Sequence, residues 1–129
     1  MEEMHLRFDH VGIKSKDIKK SVDFYTRILG FEVLEEVEVL NSIYTFVGDE
    51  TTRIEIEQAA PNDKMIDVNT QYGLYHIAFI VKDIDSLAER LKKDGVKFIM
   101  EPIQLREDRK IAFIEDPDGV RIQLIDFFE

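Results

Sequence analysis

A tandem repeat is the feature that most constrains the fold of this chain. Residues 8–13, followed by Lys16-Asp17-Ile18, return 66 positions later as residues 74–79, followed by Lys82-Asp83-Ile84. A second match, offset by 68 positions, aligns residues 53–56 with residues 121–124. A fixed period marks repeated structural units, so the sequence predicts a duplicated module and disfavours a chance match of two strand–helix segments.

Each repeat shows the same order of predicted elements: a strand, a helix and three further strands. In the first repeat, strands are predicted over residues 6–14, 31–40, 43–47 and 53–59, and a helix runs from an Asp17 cap to a stop at Gly30. In the second, strands are predicted over residues 74–81, 96–100, 109–115 and 120–127, with Pro102 as an interruption and a helix from Asp83 to Gly95. The pattern predicts an α+β fold with modules at about residues 5–60 and 74–128 and a polar linker at 61–73.

Composition excludes several classes of partner. The net charge of −10 disfavours nucleic acid, whose phosphates the chain would repel. There is no cysteine, which removes disulfides, thiolate ligands and a thiol nucleophile and fits a reducing compartment. The N-terminus reads as no signal peptide, and the longest apolar run, residues 77–81, is too short to cross a bilayer. We therefore expect a cytoplasmic protein with neither nucleic-acid nor membrane partners.

The repeat pairs residues that suit a metal ion. The offset of 66 pairs His10 with His76, and the offset of 68 pairs Glu55 with Gln123. Strand alternation places Glu55 and Gln123 on the polar face of their strands. If the halves are related by a pseudo-two-fold axis, two imidazoles and two oxygens could surround one divalent ion, with Ni, Zn, Co, Mn and Fe all compatible. The alternative is a pair of structural histidines beside a solvated strand face.

Several motifs resemble the vicinal oxygen chelate superfamily, which includes glyoxalase I, bleomycin resistance proteins and dioxygenases. The resemblance runs from Phe8 to Phe127 and rests on four stretches: Asp9-His10-Val11-Gly12, Asp23-Phe24-Tyr25 leading into Leu29-Gly30-Phe31, residues 75–79, and residues 113–125. It implies a single domain over residues 1–129, with two βαβββ modules in a curved, barrel-like, eight-stranded mixed sheet and the helices outside. It also implies one metal site, a small-molecule substrate and a homodimer.

Glyoxalase I-like proteins are the most similar in layout. The resemblance places their four metal ligands on His10, Glu55, His76 and Gln123, and it implies a lyase or isomerase that converts a hemithioacetal, or a similar 2-oxo substrate, through an enediolate. Gln123 departs from the family's glutamate, which often serves as the base at that position. A neutral amide does not serve as a base near pH 7, so Glu55 would have to be the catalytic base alone. Lys14 stands where the family places an arginine that meets a glutathione carboxylate, so Lys14 is a candidate substrate-binding residue.

Other members of the superfamily remain alternatives. An acyl-CoA epimerase would carry Gln and Glu in the reverse order at the two oxygen positions. A thiol transferase acting on a phosphonate is a second metalloenzyme of this kind. A dioxygenase would need a glutamate in place of Gln123. An antibiotic-binding resistance protein without catalysis usually lacks the histidine pair, which is intact here.

Overall fold

The computed structural model describes residues 5–128, and the chain divides into an N-terminal unit, Met1–Pro61, and a C-terminal unit, Asn62–Glu129. The N-terminal unit contains β1 (Val11–Ser15), α1 (Ile18–Asp23), β2 (Glu32–Val39), β3 (Ser42–Gly48) and β4 (Arg53–Gln58). Its sheet has the order β1-β4-β3-β2, in which β1 and β4 are parallel and the other pairs are antiparallel. The last strand of the unit therefore lies inside the sheet, directly beside the first.

The C-terminal unit repeats this arrangement. It contains β5 (Ile77–Ile80), α2 (Ile84–Lys93), β6 (Lys97–Arg106), β7 (Arg109–Glu115) and β8 (Arg121–Phe127). The sheet order is β5-β8-β7-β6, with β5 and β8 parallel and the other pairs antiparallel. The repeated order of elements in the sequence is thus repeated in the order and direction of the strands.

The predicted α+β class and the two βαβββ modules are confirmed, with one difference in the sheets. Residues 5–128 form two separate four-stranded mixed sheets and no closed eight-stranded barrel, because the strand pairing of each module stays within its own four strands. The prediction of one domain over residues 1–129 stays a prediction. Within β6, the predicted break at Pro102 is wrong: the strand continues past Pro102, and irregular pairing with β7 between Met100 and Ile103 accommodates the residue.

Helix boundaries follow the predicted local signals. The Asp17 side chain accepts a hydrogen bond from the Lys20 amide, and the Asp83 side chain accepts one from Ser86, so both predicted N-caps are confirmed. Gly30 and Gly95 both have positive φ, 87° and 81°, as expected where a helix stops. In the N-terminal unit α1 continues directly into a π-helical turn, Phe24–Ile28.

Apolar residues at strand and helix spacing form the core of each unit. In the N-terminal unit Ile54 and Ile56 of β4 are fully buried, as is Tyr25. In the C-terminal unit Ile122 and Leu124 of β8 are buried, as is Leu91 of α2. The residues between these isoleucines and leucines, including Glu55 and Gln123, remain partly exposed, as alternation predicts.

Both histidines lie just before a strand, not in the middle of one. The predicted strands over residues 6–14 and 74–81 are shorter in the structure, where β1 begins at Val11 and β5 at Ile77. His10 and His76 are therefore the last residues before their strands. This correction matters because the strict alternation of side chains holds only within a strand.

No helix in residues 5–128 combines the length and the apolar character that a membrane-spanning helix needs.

Ser21 offers a test of packing in α1. Its side chain is fully buried, and within residues 5–128 its Oγ has no hydrogen-bond partner. Because an unsatisfied buried hydroxyl costs stability and alanine is the better helix former, we expect Ser21→Ala to raise the free energy of unfolding by about 1 kcal/mol. Urea denaturation would measure the change.

The matched control for Ser21→Ala is Ser86→Ala. Ser86 is an exposed serine of α2, so its replacement should act through helix propensity alone. We expect Ser86→Ala to raise the free energy of unfolding by about 0.5 kcal/mol. A loss of stability in Ser21→Ala would show that its hydroxyl is satisfied or that its volume is needed.

Candidate metal centre

Glu55 is placed by the register of β4 between its two neighbouring strands. It pairs with Gly12 of β1 on one side and with Phe46 of β3 on the other. Gly12 has no side chain, and a Cβ built on it would lie 3.3 Å from Glu55 Oε1. The Glu55 carboxylate therefore occupies space that the glycine leaves open.

His10 reaches the same point from the chain just before β1. Its Nε2 lies 3.7 Å from Glu55 Oε2, and its ring meets the Phe46 ring edge-on, with centroids 5.2 Å apart and an interplanar angle of 83°. The side chains of His10 and Glu55 are 34% and 27% exposed, so solvent reaches both. One imidazole nitrogen and one carboxylate oxygen are thus held side by side in the N-terminal unit.

The separation of these two atoms fits a shared metal ion. Ligand bonds of about 2.1 Å at angles between 90° and 109° place neighbouring ligand atoms about 3.0–3.4 Å apart. The distance from His10 Nε2 to Glu55 Oε2 is 3.7 Å, so the two side chains would have to approach by only a few tenths of an ångström to reach this range. Imidazole nitrogen with carboxylate oxygen suits a borderline divalent ion such as Zn²⁺, Ni²⁺ or Co²⁺.

The other nitrogen of His10 meets the Asp9 carboxylate, and Arg53 lies beside that carboxylate. Asp9 Oδ2 lies 2.7 Å from His10 Nδ1, and Arg53 Nε lies 3.7 Å from the same carboxylate oxygen. The hydrogen bond with His10, assisted by the positive charge of Arg53, lowers the pKa of Asp9 below its ordinary value. Arg53 in turn stacks on the Phe46 ring at 4.5 Å and donates to Glu35 Oε1 at 3.0 Å.

The C-terminal unit repeats the aromatic part of this arrangement. Gln123 pairs with Ala78 of β5 and Phe113 of β7, the same relation that Glu55 has to Gly12 and Phe46. His76 meets the Phe113 ring edge-on, with centroids 5.4 Å apart. Arg121 stacks on the Tyr75 ring at 4.8 Å and donates to its hydroxyl. Each unit therefore carries a histidine and an oxygen-bearing side chain beside one phenylalanine.

Each unit brings together one histidine and one oxygen-bearing side chain. The set of four metal ligands stays a prediction. His10 and Glu55 lie together in one unit, and His76 and Gln123 flank Phe113 in the other. Across residues 5–128, His, Asp and Glu side chains form no cluster of three placed to hold a metal ion. Lys14 lies two residues beyond Gly12 on β1, where it pairs with Glu57, and its predicted role in substrate binding also stays a prediction.

The sequence prediction missed Asp9 as a partner of His10. Alternation along a strand had placed Asp9 on the face opposite His10, yet both residues precede β1 and their side chains meet. The acidic residue directly before the histidine was the available signal. Phe46 and Phe113 were also missed, because strand register alone reveals which side chains flank the two oxygens.

Gly12 offers a test of the Glu55 position. Gly12→Ala would place a methyl group 3.3 Å from Glu55 Oε1, so the carboxylate would have to shift by a few tenths of an ångström. We expect metal affinity to fall about tenfold, as when a group that orients a ligand is changed. Isothermal titration with Zn²⁺ would measure the change.

The control for Gly12→Ala is the same substitution in a Glu55→Ala background, where it should cause no further loss. An equal loss in both backgrounds would show that the methyl group acts on something other than Glu55.

The fold defines a class, that of proteins built from two βαβββ modules, and here each module carries a histidine and an oxygen-bearing side chain beside one phenylalanine. The chain belongs to the Glyoxalase/Bleomycin resistance protein/Dioxygenase superfamily, whose family model matches residues 7–124. This confirms the family predicted from the motifs.

The chain is also similar to individual proteins of this superfamily. The chain is 36% identical over 123 residues to a probable lactoylglutathione lyase of Synechocystis sp., covering 90% of this chain and 92% of the relative. It is 33% identical over 128 residues to the lactoylglutathione lyase of Escherichia coli O157:H7, covering 94% and 93%. The trypanothione-dependent glyoxalase I of Leishmania major is similar in structure, with a TM-score of 0.77, 29% identity and coverage of 95% and 87%. The chain is thus related to glyoxalase I.

Proposed function

We propose that this protein is a metal-dependent, glyoxalase I-like lyase or isomerase that acts on a hemithioacetal or a similar 2-oxo substrate. The observation that carries the proposal is the 3.7 Å approach of His10 Nε2 to Glu55 Oε2. It is supported by the matching placement of His76 and Gln123 in the second module and by the lactoylglutathione lyase relatives.

The proposed metal ligands are His10, Glu55, His76 and Gln123. A divalent ion bound there, one of Ni, Zn, Co, Mn or Fe, would supply Lewis-acid stabilisation of negative charge on the substrate oxygens. Gln123 binds through its amide oxygen and contributes no charge, so Glu55 is the one anionic ligand of the four.

Glu55 is the proposed catalytic base. It accepts the proton of the carbon that bears the sulfur atom, which leaves an enediolate, and returns that proton to the neighbouring carbon. The hydroxyl proton passes between the two substrate oxygens, and the product is a 2-hydroxy thioester. No bond to sulfur is broken, and nothing is oxidised or reduced overall. Gln123 cannot take part in this proton transfer, because a neutral amide has no basic site near pH 7.

Lys14 is the proposed contact for an anionic tail of the substrate. Its ammonium group on β1 supplies a positive charge without the bidentate geometry of an arginine. Substrates whose tail needs two parallel hydrogen bonds should therefore bind less well than those that need charge alone. We also propose that the protein works in the cytoplasm and that it forms a homodimer. Light scattering would test whether the protein is a dimer.

The test begins with metal analysis of protein purified without chelator, where we expect about one divalent ion per chain. Methylglyoxal is then mixed with glutathione, cysteine or coenzyme A, and thioester absorbance is followed with and without added metal. Metal-dependent thioester formation with at least one thiol is the expected result. Bound metal without turnover for any thiol would reject the isomerase and favour an epimerase or a phosphonate thiol transferase. Absence of metal would favour a binding protein.

A further inference from the structure

The two candidate histidines, His10 and His76, differ in one contact: His10 is hydrogen-bonded to a carboxylate. Asp9 Oδ2 lies 2.7 Å from His10 Nδ1. An ionised carboxylate only accepts hydrogen bonds, so Nδ1 carries the proton and donates it. In a neutral imidazole the lone pair then resides on Nε2, the nitrogen that lies 3.7 Å from Glu55 Oε2. The bond to Asp9 therefore presents the metal-binding nitrogen toward the other candidate ligand.

The His10 ring is restrained from three directions. Asp9 holds Nδ1, the edge-on Phe46 ring limits rotation, and Glu55 faces Nε2. Asp9 is itself held near Arg53, whose guanidinium is fixed on the Phe46 ring and by Glu35. These contacts form a connected network around the His10 ring.

His76 in the other unit lacks this support. The residue before it is Tyr75, whose hydroxyl accepts a hydrogen bond from Arg121. Ring contacts with Tyr75 and Phe113, at centroid distances of 5.2 and 5.4 Å, hold His76. Throughout residues 5–128, no carboxylate bonds to either of its ring nitrogens. The aromatic part of the half-site is duplicated, whereas the carboxylate behind the histidine is not.

We infer that Asp9 is a positioning residue that keeps His10 in the Nδ1–H tautomer and so makes the N-terminal unit the half that controls metal affinity. The inference rests on the proposed function, because it concerns the same site. A carboxylate that accepts from a ligating histidine fixes the ring and raises the basicity of its metal-binding nitrogen. Among residues 5–128, the N-terminal unit alone combines that effect with a proposed anionic ligand, Glu55.

The first test needs no metal. Long-range ¹H–¹⁵N correlation spectra of the metal-free protein, recorded above the titration range of histidine and assigned with His10→Ala, report which ring nitrogen carries the proton. We expect the Nδ1–H tautomer for His10, loss of that preference in Asp9→Ala, and unchanged His76 signals. An Nε2–H tautomer in the unaltered protein, or the same tautomer in Asp9→Ala, would overturn the inference.

The second test measures affinity by competition with a chromophoric chelator, using Zn²⁺ as the probe. We expect Zn²⁺ to bind 10- to 100-fold more weakly in Asp9→Ala, with partial recovery in Asp9→Glu. Asp23→Asn is the matched control: it removes one negative charge from the same unit, and the side chain it changes bonds to Arg27 on the helix surface. Its affinity should stay within about twofold.

The outcomes separate the inference from the proposed function. If the unaltered protein binds Zn²⁺ and Asp9→Ala binds it equally well, the inference fails and the proposed function stands. If the unaltered protein binds no Zn²⁺, the proposed function and the affinity part of the inference both fall, and the tautomer result alone decides whether Asp9 positions His10.

Discussion

Replacing His10 with alanine should abolish stoichiometric metal binding. We expect the affinity for Zn²⁺ or Ni²⁺ to fall more than about 100-fold, because removing a ligand costs more than removing a group that supports one. The fold should survive, since His10 precedes β1 and is about one-third exposed. Metal content after dialysis, with circular dichroism as a check on folding, would measure both effects.

The control for His10→Ala is His5→Ala. His5 is an exposed histidine in the same stretch of chain with no counterpart in the second module. Its replacement should leave metal content unchanged. Equal metal loss in both variants would mean that any histidine near the N-terminus contributes to binding, and that the position of His10 beside Glu55 does not matter.

Replacing Glu55 with glutamine should remove most of the proposed isomerase activity. The amide keeps an oxygen for the metal but cannot accept the carbon-bound proton, so we expect turnover to fall by about 10²- to 10⁴-fold with smaller changes in metal content. Steady-state kinetics of thioester formation, with metal occupancy measured on the same samples, would separate the two effects. Unchanged turnover in fully loaded Glu55→Gln would exclude Glu55 as the base.

Replacing Gln123 with glutamate in the second module is the comparison for Glu55→Gln. Gln123→Glu adds a carboxylate at the position related to Glu55 by the repeat, and it should raise turnover. Combining it with Glu55→Gln moves the single carboxylate from one module to the other. Recovery of activity in that double variant would show that either module can supply the base. A fall in activity of metal-loaded Gln123→Glu would contradict the role assigned to this position.

The sequence was enough to propose which residues form the candidate site. Pairing His10 with His76 and Glu55 with Gln123 needed only the offsets in the sequence, and the alternation of β4 and β8 correctly predicted which side chains stay partly exposed. The orientation of the histidines was not predictable in this way. It depends on where β1 begins, and strand ends are set by pairing with β4 and not by local composition.

The sequence by itself determined the duplicated module, the helix caps at Asp17 and Asp83, and the helix stops at Gly30 and Gly95. These features are local or periodic, so they act through a few neighbouring residues and need no knowledge of distant contacts. Tertiary structure alone decided that Gly12 lies beside Glu55, that Nε2 of His10 approaches that carboxylate, and that Asp9 holds the opposite nitrogen. His10 and Glu55 are 45 residues apart, and the parallel register of β1 with β4 brings them together.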